Sequence, residues 1–95
     1  MGRLSEEDIA RRLEGVQWRR SGEEIVRDFE LEDFAAAIAF VNRVAKAAEA
    51  ANHHPDIRVH GWNRVELRLM NHSAGGLTEE DFELAGTIDG LVDTP

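Results

Sequence analysis

The segment from Glu32 to Ala51 constrains the fold more than any other part of the chain. Its larger apolar residues recur at steps of three and four, and no glycine or proline interrupts them: Phe34, Ile38, Val41, Val44 and Ala48. This spacing is typical of one face of an α-helix. Pro55 follows soon after, and the residue before a proline is disfavoured in helical conformation. The pattern therefore predicts a long amphipathic helix that ends just before Pro55, with residues 52–54 at its exit.

Residue patterns on both sides of this segment predict four strands and two further helices. Apolar and polar residues alternate over 16–20 and 25–31, with a turn at Ser21-Gly22, and again over 57–61 and 63–70. Arg27 intrudes on the apolar side of the second strand. Two segments place a capping hydroxyl ahead of acidic residues, as helix N-termini prefer: Ser5-Glu6-Glu7-Asp8 and Thr78-Glu79-Glu80-Asp81. The order α-β-β-α-β-β-α predicts an α+β fold, in which a four-stranded antiparallel sheet carries helices packed on one face.

Length and composition narrow the possible functions. A chain of 95 residues, 42% of them hydrophobic, is expected to fold as one domain that covers 1–95. Its 19 acidic and 11 basic residues give a net charge of −8, which disfavours binding to the phosphate backbone of nucleic acids. The chain has no cysteine, so disulfides, thiolate metal sites and thiol nucleophiles are excluded.

The sequence also predicts a protein that works away from membranes. The longest strongly apolar run, at 34–41, is far shorter than the roughly 20 residues that a bilayer span requires. The N-terminus turns acidic at once and shows no apolar signal segment. We therefore expect a cytoplasmic protein that has neither a membrane nor a nucleic acid as its partner.

Three of the four histidines lie where regular elements meet loops. His53 and His54 occupy the helix exit, and His72 ends the last predicted strand beside the loop Ala74-Gly75-Gly76. Loops on a rigid scaffold often carry functional groups, and an imidazole can both donate and accept protons near neutral pH. The three histidines together favour acid–base chemistry. A polar helix exit with a proline stop is nevertheless sufficient to explain the His-His-Pro segment on its own.

Two acids and one aromatic residue are candidates for supporting roles. Glu49 lies on the last turn of the long helix, where a negative charge is mildly unfavourable, so its presence there suggests a purpose. Asp81 lies three residues after Thr78, and this position alone indicates a structural helix cap. Trp62 is expected in the core, although an aromatic side chain beside polar groups can also stack on a flat heterocycle.

A metal site is the alternative chemistry that these residues leave open. His54-Pro55-Asp56 has the His-x-Asp spacing found in iron sites with two histidines and one carboxylate, and His60 or His72 would be the third ligand. This spacing is common by chance. We therefore expect no metal.

Beyond these separate signals, the order and spacing of the segment from Glu49 to Asp81 resemble the signature of the pterin-4a-carbinolamine dehydratase family. The signature residues here are Glu49, His53, His54, Pro55, Trp62, His72 and Asp81, and the flanking segments Asn63-Arg64-Val65 and Ala74 to Ala85 agree. Nearly the whole chain takes part in the resemblance. Two departures are visible: the stretch from His54 to the aromatic residue is long, and Met70-Asn71 precedes His72 where a Ser/Thr-Thr pair is common.

The resemblance implies a four-stranded antiparallel sheet covered by helices, and an enzyme that needs no cofactor. Such an enzyme removes water from 4a-hydroxytetrahydropterin to give quinonoid dihydropterin, which recycles the tetrahydropterin. The carried-over roles give proton transfer to His53 and His72, and they leave His54 to hold and polarise the pterin. Glu49 would pair with the aminopyrimidine edge or steady a histidine, and Asp81 would orient a histidine ring.

The resemblance also implies partners. Members of the family form homodimers or homotetramers through edge strands and the long helix, and the nine alanines between Ala35 and Ala51 suit close helix packing. A pterin-dependent aromatic amino acid hydroxylase would supply the substrate. Some members also serve as dimerisation partners of transcription factors, so a non-catalytic interaction module of the same fold is the alternative function.

Overall fold

The element order predicted from the sequence is the order that the fold adopts. The computed structural model describes residues 2–92, so residue 1 and residues 93–95 of the predicted 1–95 domain lie outside the described part. The seven elements are α1 (Glu6–Arg12), β1 (Arg19–Ser21), β2 (Glu24–Glu30), α2 (Phe34–Ala51), β3 (Asp56–His60), β4 (Arg64–Leu69) and α3 (Glu79–Asp89). Across residues 2–92, no helix is both long and apolar enough to cross a bilayer.

The four strands form one antiparallel sheet in the order β1-β2-β4-β3, which confirms the predicted α+β fold. Cross-strand partners such as Phe29 and Val65, or Ile57 and Leu67, place the apolar side chains on one face. The first strand is shorter than predicted, because Arg19 is its first paired residue. The turn begins one residue later than expected, at Gly22, whose φ of 62° suits a residue without a Cβ.

The two faces of the sheet differ in chemistry, which explains why helices cover one face. The other face carries a network of ion pairs, in which Arg68 contacts both Glu24 at 3.0 Å and Glu66 at 3.1 Å. Val26 also lies on this face, in register with Arg68 on the neighbouring strand, yet it is fully buried. Long cationic side chains can cover apolar surface in this way while their charges stay in water.

Helix α2 packs on the sheet with a different face from the one that the sequence predicted. Val44 and Ala48 are buried as expected, but the other buried residues are Ala37 and Phe40. Phe40 meets Phe29 of β2 with ring centroids 4.8 Å apart, which explains why its side of the helix turns inward. The predicted core residues Phe34 and Ile38 are instead 55% and 37% exposed. Helix α2 therefore carries a second apolar stripe that the single chain leaves uncovered.

The intruding Arg27 is accommodated by a contact between β2 and α3. Its guanidinium donates to Asp89 Oδ1 at 2.6 Å, and the same oxygen accepts a hydrogen bond from Trp18 Nε1 at 2.8 Å. The guanidinium also lies over the ring of Phe29, 4.4 Å from its centroid. The carboxylate of Asp89 thus links the C-terminal end of α3 to Arg27 on β2 and to Trp18 just before β1.

Candidate active site

The exit of α2 directs two consecutive histidines into different surroundings. Asn52 adopts a left-handed conformation, with φ of 50°, and its N–H bonds back to the last turn of the helix. The N–H of His53 likewise donates to Ala48 O at 3.1 Å. This reversal is a common way to end a helix. It leaves the side chain of His53 10% exposed, whereas that of His54 is 57% exposed.

His53 is held by the buried carboxylate of Asp81. The distance from His53 Nε2 to Asp81 Oδ1 is 2.6 Å, and Asp81 is fully buried. The other oxygen of Asp81 accepts the backbone N–H of Thr78 at 2.8 Å, so Asp81 also closes the capping box of α3. A carboxylate can only accept here, so the proton of a neutral His53 ring lies on Nε2 and the lone pair lies on Nδ1.

His54 has a carboxylate partner of its own, one turn back on the helix. Its Nε2 lies 2.5 Å from Glu49 Oε2. Both side chains are largely exposed, so this pair adds little to stability. The contact orients the imidazole ring in this structure, and it gives the acid near the C-terminal end of α2 a partner.

His72 reaches the same place from the loop after β4. Asn71 and Gly76 form an isolated β-bridge that closes this loop, and Gly75 adopts a left-handed φ of 73°. The loop faces a cleft of about 510 Å³. All three candidate histidines line the cleft, together with Asn52, Met70, Asn71, Ser73, Ala74 and Glu80.

Trp62 is neither a core residue nor part of this cleft within the chain. It lies in the turn between β3 and β4, with a φ of 58° and an exposed fraction of 62%. The strands pair from His60 with Arg64 to Asp56 with Arg68, so the turn lies about 13 Å along the strands from the end nearest the histidines. The expectation of a buried Trp62 was wrong, because a tight hairpin turn projects its side chain outward.

The same geometry separates the residues of the alternative metal site. His60 lies at the turn end of β3, whereas Asp56 begins that strand. His60 therefore cannot meet His54 and Asp56 around one ion. Within residues 2–92, no group of three or more histidine, aspartate or glutamate side chains has an arrangement that would hold a metal.

Asn71 and Glu80 are among the cleft residues that sequence reasoning missed, and they bond to each other. Asn71 Nδ2 donates to Glu80 Oε1 at 2.9 Å, and Asn71 Oδ1 accepts the N–H of Ala74 at 3.1 Å. The available signals were weak, because Glu80 has the pattern of a first-turn helix acid and Asn71 stood out merely as a departure from the family pattern. Glu80 and His53 also line a neighbouring groove of about 410 Å³, together with Ala47, Ala50, Ala51, Glu83, Leu84 and Thr87.

Comparison with known proteins shows which family the chain belongs to. The family model described as "Pterin 4 alpha carbinolamine dehydratase" matches residues 2–91. The chain belongs to this family. The resemblance inferred from the histidine and acid pattern is thereby confirmed.

Relatives in this dehydratase family match over nearly their full length. Proteins named "Putative pterin-4-alpha-carbinolamine dehydratase" are 55% identical in Chloroflexus aurantiacus and 50% identical in Acidobacterium capsulatum, each over 93 residues. Both alignments cover 97% of this chain, with 99% and 100% of the respective relatives.

Two solved structures share the fold. The crystal structure of a transcriptional coactivator/pterin dehydratase from Brucella melitensis has a TM-score of 0.89 at 32% identity, over 96% of this chain and 99% of that one. A pterin dehydratase-like protein identified as a RuBisCO assembly factor in the alpha-carboxysome has a TM-score of 0.69 over 85% of this chain and 95% of that one. Its identity is 24%, so this second likeness concerns the fold alone.

Proposed function

We propose that this protein removes water from 4a-hydroxytetrahydropterin to give quinonoid dihydropterin, with histidines as acid and base. One observation carries the proposal: His53, His54 and His72 line a single cleft, and the first two are each held through Nε2 by a carboxylate. Membership of the family supports a pterin as the substrate class. A pterin-dependent aromatic amino acid hydroxylase in the cytoplasm would supply the substrate, and the reaction would recycle the tetrahydropterin.

The proposed reaction needs two proton transfers and no redox partner. A base takes the proton from N5, and the electron pair of that N–H bond forms the double bond between N5 and C4a. The bond from C4a to oxygen breaks as the hydroxyl receives a proton and leaves as water. The electron pair of the C4a–oxygen bond leaves with the water, and the reaction involves no net oxidation or reduction, so the proposed mechanism requires no redox cofactor.

The contacts of the histidines suggest how these roles divide. His53 donates its Nε2 proton to Asp81 and keeps a lone pair on Nδ1, which suits a base. His72 lies across the cleft in a different loop and is assigned as the acid; the two roles exchange when the hydroxyl is on the other face of the ring. His54, oriented by Glu49, holds and polarises the pterin.

The purified protein is expected to accelerate dehydration of chemically generated 4a-hydroxytetrahydropterin. The measurement is ultraviolet absorbance as quinonoid dihydropterin appears, compared with a buffer blank at matched pH because the uncatalysed reaction is appreciable. Each positioned acid or base contributes about 10²–10⁴-fold, so the acceleration should be large. A folded protein that gives no rate above the blank would refute the proposal and favour the alternative, an interaction module without catalysis.

We also propose that the chain forms a homodimer or homotetramer through the second stripe of α2. Phe34 and Ile38 are exposed on this stripe, and the partly buried Val41 continues it by one turn. Apolar side chains aligned on one helix face commonly mark a protein interface. Strand β3 is a second candidate surface, because it lies at the edge of the sheet with one side unpaired in the single chain.

Light scattering at micromolar concentration should therefore give a mass of at least twice 10.7 kDa. Replacing Ile38 with glutamate places a charge in the proposed interface and should shift the protein towards the monomer. Glu14→Lys, an exposed charge change outside α2, is the control and should leave the mass unchanged. A wild-type mass near 10.7 kDa would contradict the proposed oligomer.

A further inference from the structure

The carboxylates around the cleft are not equally available to a substrate. Both oxygens of Asp81 are occupied, one by His53 and the other by Thr78. Glu49 holds His54 and does not line the cleft. The roles suggested for these two acids therefore reduce to orienting histidines. Neither of these two carboxylates is therefore free to accept hydrogen bonds from a pterin in the cleft.

Glu80 is a carboxylate that lines the cleft and can accept further hydrogen bonds. It is half-buried on the first turn of α3, between the cleft and the neighbouring groove. Asn71 Nδ2 donates to its Oε1, and within residues 2–92 its Oε2 receives no hydrogen bond. A carboxylate has about four acceptor positions, so Asn71 fixes the group in place and leaves most of its capacity unused.

The chemistry of a pterin matches this group. The pyrimidine ring of a pterin presents an N3–H and a 2-amino group side by side, which are two donors on one edge. A carboxylate can accept both, and hydrogen bonds to charged groups are stronger than neutral ones. We propose that Glu80 is the substrate-binding carboxylate that receives the aminopyrimidine edge, with Asn71 as the residue that positions it. This inference rests on the proposed function and extends it to the recognition of the substrate.

Replacing Glu80 with glutamine tests this assignment with a change of a few atoms. The carbonyl oxygen of the introduced amide can still accept from Asn71, but its amino group then faces the two donors of the pterin. The Michaelis constant should rise by about 10- to 100-fold, the usual range for losing a hydrogen bond to a charged group. The turnover number should change little, because the lost contact binds substrate and transition state alike.

Glu83→Gln is the matched control, since Glu83 lies one turn further along α3 and lines the groove but not the cleft. It should leave both kinetic constants unchanged. If the wild-type protein is active and Glu80→Gln leaves the Michaelis constant unchanged, the assignment of Glu80 is wrong while the proposed function stands. If the wild-type protein is inactive, the proposed function fails first, and ligand binding then decides the role of Glu80 separately.

Binding of two stable ligands provides that separate measurement. Titration calorimetry would compare 7,8-dihydropterin with 7,8-dihydrolumazine, which has a carbonyl oxygen in place of the 2-amino group. Glu80→Gln should weaken binding of dihydropterin by at least 10-fold. It should not weaken binding of dihydrolumazine, because the amide of the introduced glutamine can donate to that oxygen. Equal losses for both ligands would overturn the proposal.

Asn71→Asp tests whether Asn71 positions Glu80, while it keeps the hydrogen bond that Asn71 makes within its own loop. An aspartate keeps the oxygen that accepts from Ala74, but it places a second negative charge against Glu80. The Michaelis constant should therefore rise. In the Asn71→Asp/Glu80→Gln double variant, the introduced glutamine can donate to the introduced aspartate and offer its carbonyl oxygen to the pterin, so part of the loss should be recovered. Losses that simply multiply would contradict the positioning role.

Discussion

Replacing His53 or His72 with alanine is expected to slow dehydration of 4a-hydroxytetrahydropterin by about 10²-fold or more, the usual contribution of one positioned acid or base. The two residues enter the cleft from different loops, so each single variant leaves the other proton-transfer group in place. The double variant should approach the rate of the buffer blank. The measurement is the same absorbance assay, with circular dichroism as the test that each variant is folded.

His53→Ala leaves the buried carboxylate of Asp81 without one of its partners, so a loss of activity in this variant could reflect a loss of structure. His53→Gln addresses this problem, because the amide of glutamine can donate to Asp81 but cannot take up a proton from the substrate. It should be as slow as the alanine variant and close to wild type in stability. His60→Ala is the control, since His60 lies at the far end of β3, and it should retain nearly full activity. A fully active His53→Gln would remove His53 from the mechanism.

The fold was predictable because its main signals are local. Uninterrupted helical spacing before Pro55 predicted α2, and the alternation over 63–70 predicted β4 within one residue at each end. The capping pattern at Thr78 predicted the start of α3, which the capping box there confirms. Each of these signals depends on neighbouring residues, so no knowledge of the tertiary structure was needed.

The face that α2 presents to the sheet was not predictable in the same way. The helix carries two apolar stripes, one through Phe34 and Ile38 and one through Ala37 and Phe40, and a sequence pattern does not show which of them meets the sheet. The contact between Phe40 and Phe29 decides this, and it depends on the register of β2. Trp62 was misplaced for a related reason, because a large aromatic residue predicts burial unless the turn that exposes it is known.

Part of the candidate site could likewise be predicted from neighbouring residues, whereas the rest depends on contacts between residues far apart in the chain. The positions of His53 and His54 at a helix exit follow from Pro55, but the partner of each ring does not. The contact between His53 and Asp81 joins residues 28 positions apart, and the pattern of Asp81 alone indicated a cap. The pairing of Asn71 with Glu80 was invisible, because it requires the loop after β4 to lie against the first turn of α3.

Asp81→Asn is expected to fold with nearly wild-type stability and to lose at least 10²-fold in activity. The asparagine amide has an acceptor oxygen at one position and a donor amino group at the other, whereas Asp81 accepts with both oxygens. The variant can therefore accept from Thr78 or from His53 at the positions that Asp81 uses, but not from both. Leaving the buried N–H of Thr78 unpaired costs about 1–3 kcal/mol, whereas His53 can adapt by moving its proton to Nδ1. The cap should therefore persist, and His53 would lose the lone pair that accepts the N5 proton. A comparable exchange of tautomer at the histidine of a serine protease costs about 10⁴-fold.

Asp81→Ala removes the contacts to both Thr78 and His53. It should reduce the free energy of unfolding by about 2–4 kcal/mol, the sum of the lost helix cap at Thr78 and the unpaired ring N–H of His53. Urea unfolding followed by circular dichroism measures this difference. Asp89→Ala is the matched control, because Asp89 lies on the same helix as Asp81 but away from the cleft. Its loss leaves Trp18 and Arg27 without their shared acceptor, so it should lower stability without slowing dehydration at a temperature where the variant is folded. Asp81→Asn should lower activity but not stability, and Asp89→Ala should lower stability but not activity. Together the two variants separate the orientation of His53 from the support of α3. Full activity in Asp81→Asn would show that Asp81 acts as a helix cap alone.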